Sequence, residues 1–496
     1  MRKTMPIFYS ALMLTGVNLL LRMVSTSFQV FISSRIGAAG VGLLQLVLSV
    51  GSLAMTAGIG GIRTATMYLT AEELGRKRPG NVIWVLSGAV LYSIVCSSVV
   101  GGSLYWFAPK IAEYWIRDLT AAPAIRLLGA LLPVSCLTGV MTGYFTAANR
   151  IGTLAVVEIA EQLCSMAVTA GLLVFWADPD PGNACLAVVL GSSSGACLTL
   201  LSLVFLRLRE QSPAPRKIPI GRHLTATAVP LALADDLKAG ISTTENLMVP
   251  RRLALFSGTD NPLALFGTVC GMVFPVLMFP AAILFGLTEL LIPELARCNA
   301  AGSKARIRYL ARRSLRLALL YGCLSGSILF LISKPLCLRL YDSPDAGRFL
   351  KWFAPLTAML YCDIVTDSMI KGLGQQRASV RYNIITSAMD LVLLFLLLPR
   401  YGMGGYFFSF AVTHVINFFL SLKRLLKITG QKIPLYPTVM TIAAAVGAVA
   451  MAQTLKLPVL QIIGFLGLFG SLLVLLRVVR KEDLFWLLGL VRGKTQ

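Results

Sequence analysis

PIFYSALMLTGVNLLLRMVSTSFQVFIS, residues 6–33, is an apolar run long enough to cross a bilayer, and an arginine stands in its middle. About 20 apolar residues in helical form span the ~30 Å hydrocarbon core. Backbone groups in hydrocarbon must pair within their own segment, so the run predicts a transmembrane helix. A charge at such depth costs between ~3 and more than 10 kcal/mol, depending on the reference state, unless water or a counter-charge meets it. At 100° per residue Asn18, Arg22, Ser25, Gln29 and Ser33 fall on one stripe roughly 80° wide. A polar stripe with a cation at mid-depth predicts a helix that lines a watery cavity or meets an anionic partner.

The rest of the chain repeats this pattern. Of 496 residues, 56% are hydrophobic and 14% charged, and the mean hydropathy is +0.76. Apolar blocks follow one another to the end, as in an all-α polytopic membrane protein. An outer-membrane barrel would instead show alternating strands of ~10 residues. About 14 spans are expected, near 7–33, 40–68, 81–107, 124–147, 154–177, 184–206, 223–250, 262–294, 313–333, 351–371, 381–398, 405–422, 436–455 and 458–478. The first has basic Arg2 and Lys3 before it but no small-residue cleavage site, and reads as an uncleaved span.

The net charge is +23, and its placement argues against nucleic acid as a partner. Of the 45 Lys and Arg, about 30 lie in segments on the side of the N-terminus and about 11 on the opposite side. Arg22, Arg63, Arg126 and Lys238 lie within spans. This asymmetry predicts cytoplasmic termini. The clusters at 207–222 and 297–316 would attract anionic headgroups of membrane lipids. Ten cysteines are scattered through the spans without a C-x-x-C pair, as small hydrophobes are. His223 and His414 have no ligand-spaced neighbours, so no metal site is expected.

RLREQSPAPRKIPIGRH, residues 207–223, reads as a linker, dividing six spans from eight. The two sides echo each other. VGLLQLV (41–47) precedes a helix ending TAEELGR (70–76), and ALFGTVC (264–270) precedes one ending IPELARC (292–298). GYFTAANRIG (143–152) returns as GLGQQRASV (372–380). An even number of spans per copy makes these parallel repeats about an axis along the membrane normal. The expected organisation is an N-terminal lobe (1–222), a C-terminal lobe (223–430), and two further helices with a tail (431–496).

Polar residues line up within other spans. Gln45, Ser49, Ser52, Thr56 and Arg63 share a stripe roughly 60° wide in span 2. Span 5 carries Glu158, Glu161, Gln162, Ser165 and Thr169, and span 7 carries Asp235, Lys238, Ser242, Glu245 and Asn246, with Asp236 off that face. Span 10 offers Asp363 and Asp367, and span 11 Asn383, Thr386 and Asp390. Each acid fits either ion coupling or helix–helix hydrogen bonding, and Asp235 with Lys238 fits an intrahelical pair. Pro275 and Pro280 predict a bend in span 8. No G-x-S-x-G, Walker loop or H-E-x-x-H is present, and the loops leave little room for a catalytic domain, so no enzyme is expected. ELGRKR (73–78) only superficially matches a major-facilitator loop motif.

Several segments carry a resemblance: SSRIGAAGVGLLQLV (33–47), ENLMVPRRL (245–253), GMVFPVLMFPAAILFGLTELLIPELA (271–296), KWFAPLTAMLYCDIVTDSMIKGLGQQRASVRYNII (351–385) and LLPRYGMGGY (397–406). Together they resemble the stage V sporulation protein B branch of the polysaccharide transporters. That branch lies in the multidrug/oligosaccharidyl-lipid/polysaccharide (MOP) exporter superfamily, with the lipid II flippases and the multidrug and toxin extrusion antiporters. The resemblance implies two parallel-repeat six-helix lobes around a central cavity lined by spans 1, 2, 7 and 8, plus two C-terminal helices. It also implies a cationic cavity in which Arg22 occupies the place of a first-span arginine.

The function expected is that of a flippase in a bacterial cytoplasmic membrane. Its substrate would be an undecaprenyl-diphosphate-linked saccharide, such as a peptidoglycan, spore-cortex or other envelope precursor, and cell-envelope synthases are candidate partners. Arg22 and Arg63, with Lys238 as a third contact, would hold the diphosphate; Asn18, Ser25 and Gln29 would hydrate the sugar. Glu158, Glu161, Asp235, Glu245, Asp363, Asp367 and Asp390 are the candidates for ion coupling or for structure. No cofactor is expected; the membrane potential or a monovalent ion would drive transport. The alternatives are an ion-coupled exporter of organic cations and, in another class, a polyprenyl-linked glycosyltransferase or polymerase.

Overall fold

In a computed structural model the described residues are 7–59, 61–76, 78–148, 150–175, 180–209, 221–258, 260–431, 435–455 and 457–478, less the side chains of 7–20, 22, 75, 151, 221–231, 234, 289, 290 and 293. The fold is 91% helical, and no strand occurs among the described residues. Its helices are α1 (Ile7–Ile59), α2 (Ile62–Gly75), α3 (Val82–Lys110), α4 (Ala122–Ala147), α5 (Ile151–Phe175), α6 (Pro181–Leu208), α7 (Gly221–Leu253), α8 (Pro262–Gly267), α9 (Phe274–Met278), α10 (Ala282–Ala300), α11 (Lys304–Tyr341), α12 (Pro344–Phe353), α13 (Thr357–Gly372), α14 (Gln376–Thr429), α15 (Leu435–Ala452) and α16 (Pro458–Leu475).

Among the described residues nine helices are long and apolar enough to cross a membrane, or ten with one bent pair counted. Each expected span nonetheless coincides with helix over most of its described residues. Two pairs of spans run together in α1 and α14, of 53 and 54 residues. A straight helix of that length would reach about 80 Å, far beyond the ~30 Å of hydrocarbon. Each is broken by a glycine in a left-handed conformation, Gly37 (φ 67) in α1 and Gly402 (φ 55) in α14. An L-side chain is strained there, and glycine is not. The seventh span, α7, is helical but too polar to be counted, and the tenth is split between α12 and α13.

The chain groups into two compact units. One comprises Phe31–Gly271 with Leu394–Gly402; the other comprises Met1–Val30, Met272–Leu393 and Met403–Gln496. In the first unit α4 packs against α2, α3 and α6, and α5 against α6. Its core includes Ile62, Ala65, Val85, Ala89, Val140, Phe145 and Leu203. The two segments that echo each other in sequence meet within this unit. A Cβ on Gly42 would overlap the Leu263 carbonyl, and one on Gly267 would overlap the Ala38 carbonyl, so only glycines permit this crossing.

In the second unit α11 is the hub, contacting α10, α12, α13, α15 and α16. Ala444, Ala445, Ala448 and Ala452 of α15 form a core with Phe465, Phe469 and Leu473 of α16 and Cys323 of α11. The bend expected at Pro275 and Pro280 is present, as a 61° break between Met278 and Ala282. Proline cannot donate a backbone hydrogen bond, so carbonyls at such a break need other partners. The Tyr361 hydroxyl donates to the Leu277 carbonyl at 2.9 Å, and the Tyr321 hydroxyl to the Pro280 carbonyl at 2.9 Å. Tyr361 is fully buried. Tyr361→Phe strands one carbonyl at the bend, at a cost of about 1–3 kcal/mol. Thermal unfolding in detergent is expected to shift down for Tyr361→Phe and to stay unchanged for Tyr401→Phe, whose ring is exposed.

Candidate functional site

Polar side chains of α1, α2, α5 and α7 build the candidate site of the first unit. Arg63 lies in the first turn of α2, just after Gly61, which holds a left-handed conformation (φ 67). The guanidinium is exposed, with no carboxylate within 4 Å among the described residues. Glu158 of α5 lies within electrostatic range of it, and Glu161 within range of Glu158. The anionic neighbour of Arg63 thus comes from another helix, which spacing along one helix cannot reveal. Glu161 is occupied differently, accepting from the Thr199 hydroxyl of α6 at 2.7 Å. That bond ties α5 to α6 beside Gly195, whose absent side chain lets the helices close.

On α7, Asp235, Lys238 and Ser242 are exposed and Glu245 is half-buried. No ion pair closes between Asp235 and Lys238. Asn246 leaves the wet face for packing: its amide donates to the Ser49 hydroxyl of α1 at 2.9 Å, beside a Thr243 hydroxyl donating to the Ser49 carbonyl at 3.1 Å. Asp236 lies off the face, as expected, with one carboxylate oxygen buried and unbonded. Ser25 and Gln29, half-buried on α1, belong to the second unit. Ser33, expected on the same stripe, is instead 3% exposed with its hydroxyl buried, shortly before the chain turns at Gly37. The side chains of Asn18 and Arg22 lie outside the described residues.

The second unit contains a buried polar seam. The limbs of α14 on either side of Gly402 run antiparallel, so that Asp390 meets Ser409 and Thr413, and Thr386 meets Asn417. Asp390, 7% exposed, accepts from Ser409 at 2.5 Å and Thr413 at 3.3 Å. Asp363 of α13 accepts from the Asn417 amide at 3.1 Å, while its other oxygen is buried without a partner. His414 stacks on Phe410, ring centroids 3.9 Å apart. Asp367 belongs to a different contact, paired with Lys371 at 2.6 Å and accepting from Ser379. That pairing makes it a helix-end tie. Asp363 and Asp390 have no lysine or arginine within 4 Å among the described residues. Ser409, Thr413 and Asn417 were not singled out from the sequence, although their spacing of four places them on one face of span 12.

A buried polar seam within a bundle of membrane-length helices marks a polytopic membrane protein. Residues 260–396 match the MatE family. Stage V sporulation protein B of Bacillus subtilis (strain 168) is 23% identical over 403 residues, 79% of this chain and 78% of that protein. Among solved structures, the lipid II flippase MurJ in an inward closed conformation aligns over 94% of this chain and 99% of its own, with a TM-score of 0.69 and 12% identity. An inward-facing multidrug resistance MATE family transporter of the MOP superfamily aligns over 84% of this chain and 100% of its own, with a TM-score of 0.65 and 12% identity. The chain is thus a homologue of stage V sporulation protein B that shares its fold with a lipid II flippase and a MOP-superfamily multidrug transporter.

Ser409→Ala removes the shorter of two hydroxyl bonds to a buried carboxylate, a loss of about 1–3 kcal/mol. Thermal unfolding of the purified protein is expected at a lower temperature in this variant. Lys238→Ala, on an exposed face, is expected to stay within about 0.5 kcal/mol of the parent. Equal midpoints for the two variants would remove the structural role assigned to the Asp390 seam.

Proposed function

We propose that this chain flips an undecaprenyl-diphosphate-linked saccharide, a precursor of peptidoglycan, spore cortex or another envelope polymer, across the bacterial cytoplasmic membrane by alternating access. Both termini would lie in the cytoplasm, and cell-envelope synthases would supply or consume the substrate. The observation that carries this is Arg63, an exposed guanidinium within a membrane-spanning segment that no carboxylate neutralises by direct pairing. Guanidinium binds phosphate oxygens through forked hydrogen bonds, so Arg63 and Arg22 would clamp the diphosphate, with the exposed Lys238 as third contact. The lipid tail stays in the bilayer while Asn18, Ser25 and Gln29 hydrate the sugar. The similarity to stage V sporulation protein B and to the fold of a lipid II flippase supports the same substrate class.

Energy for the cycle would come from the membrane potential. A headgroup bearing about two negative charges gains roughly 4–5 kcal/mol per 100 mV on moving outward across a negative-inside membrane. The alternative source is a monovalent ion, for which the oxygen-rich seam of Asp363, Asp390, Ser409, Thr413 and Asn417 is the candidate. That seam, and Glu158 beside Arg63, also favour a second reading, an exporter of organic cations coupled to protons or sodium.

Reconstituted vesicles separate these readings. Arg22→Ala and Arg63→Ala are each expected to lower headgroup exposure of a lipid-linked precursor at least tenfold, with insertion and thermal stability unchanged. Collapse of the potential is expected to slow the parent protein. Normal lipid translocation in both variants, together with organic-cation efflux that depends on Glu158, would establish the second reading instead.

A further inference from the structure

A groove of about 570 Å³ in the first unit has no part in the candidate site. Val50, Leu53, Ala54 and Ala57 of α1 form one wall, and Val100, Leu104 and Phe107 of α3 the other. At one end the lining changes to Lys110, Tyr114 and Trp115. These last two residues sit in a π-helical turn, Ile111–Ile116, that follows α3. At 1.5 Å per residue the lining runs about 10 Å along α1 and, from Val100 to Lys110, about 15 Å along α3. That is the depth of one leaflet, half of the ~30 Å hydrocarbon core. Tyr and Trp collect where hydrocarbon gives way to headgroups, which sets the aromatic end at the membrane surface away from the N-terminus.

That end is cationic. Lys110 lines the mouth, its ammonium 5.8 Å from the centroid of the Phe107 ring. Arg251, at the end of α7, donates to the Tyr114 carbonyl, which fixes its guanidinium at the rim. Its Nε is buried without a hydrogen-bond partner. Arg117 lies within electrostatic range of Arg251. Two guanidinium groups are therefore held in mutual repulsion beside the opening. Two acids lie near. Asp118 is occupied by the backbone amide and hydroxyl of Thr120, and Glu113 is exposed and does not line the groove.

We propose that this groove binds an anionic phospholipid of the outer leaflet, one acyl chain lying between α1 and α3 and the phosphate meeting Lys110, Arg117 and Arg251. The leaflet-deep walls suit an ordinary acyl chain better than a polyprenyl chain, which is much longer. The cations at the mouth select the headgroup. The bound lipid would brace the outer half of α1 against α3.

Trp115 at the mouth reports occupancy. The full chain is reconstituted into nanodiscs of phosphatidylcholine containing a small fraction of tail-brominated lipid, and Trp115 quenching is taken as the difference from Trp115→Phe. Brominated phosphatidylglycerol is expected to quench at lower mole fraction than brominated phosphatidylcholine, by about fivefold for each cation that contributes. Lys110→Gln combined with Arg117→Gln is expected to cut that preference to the roughly fivefold that Arg251 alone supplies, while leaving phosphatidylcholine quenching in place. Ala57→Phe, which fills the groove from within, is expected to reduce quenching by both lipids. Equal quenching by the two lipids in the parent protein would overturn the site, since ordinary boundary lipid would account for it. So would a preference that survives undiminished in the double variant, or displacement of the brominated lipid by stoichiometric undecaprenyl phosphate, which would assign the groove to a polyprenyl chain. Should Ala57→Phe fail to fold, Lys110→Gln alone decides between a roughly fivefold drop and an unchanged preference.

Discussion

Hydrocarbon offers no hydrogen-bond partner, and every feature of this chain answers to that constraint. Helices satisfy their own backbone, which is why the described residues are overwhelmingly helical. Where the helix must break, the freed groups find specific partners. Tyr361 and Tyr321 serve the carbonyls around Pro280, and Arg251 and Arg252 bond the carbonyls of Tyr114 and Phe395. Breaks without such donors fall at glycines, Gly37 and Gly402, where the chain turns back.

The same constraint sorts the polar side chains into two kinds. Glu161, Asn246, Asp367 and Asp390 are each taken up by a neighbour on the same or an adjoining helix, and they hold helices together. Arg63, Lys238 and Asp235 remain exposed without direct pairing among the described residues. Unpaired charge is tolerated in a membrane bundle only where water reaches it. The division between occupied and open groups therefore separates residues consumed in packing from residues left without a direct partner.

Much of the architecture was readable in advance. Span positions, the bend at Pro275 and Pro280, the polar face of α7 and the displacement of Asp236 from it all follow from periodicity and proline chemistry, which act over one or two turns. Pairing across helices was not readable. Nothing local connects Glu161 to Thr199, Asp363 to Asn417, or Arg63 to the field of Glu158, because each partner lies 38 to 95 residues away. Ser33 shows the reverse failure: its position on a polar stripe was correct, yet packing next to the turn at Gly37 buries it.

From sequence alone came the class of the molecule, its helical spans and the cations within them, since hydropathy and helical period are properties of contiguous residues. Only the tertiary structure decided which polar groups are consumed in packing and which remain open, and it alone disclosed the seam around Asp390 and the leaflet-deep groove at Lys110. Those depend on helices distant in the chain meeting at a few ångströms, and the energy of a buried polar group is set by what it meets rather than by what precedes it.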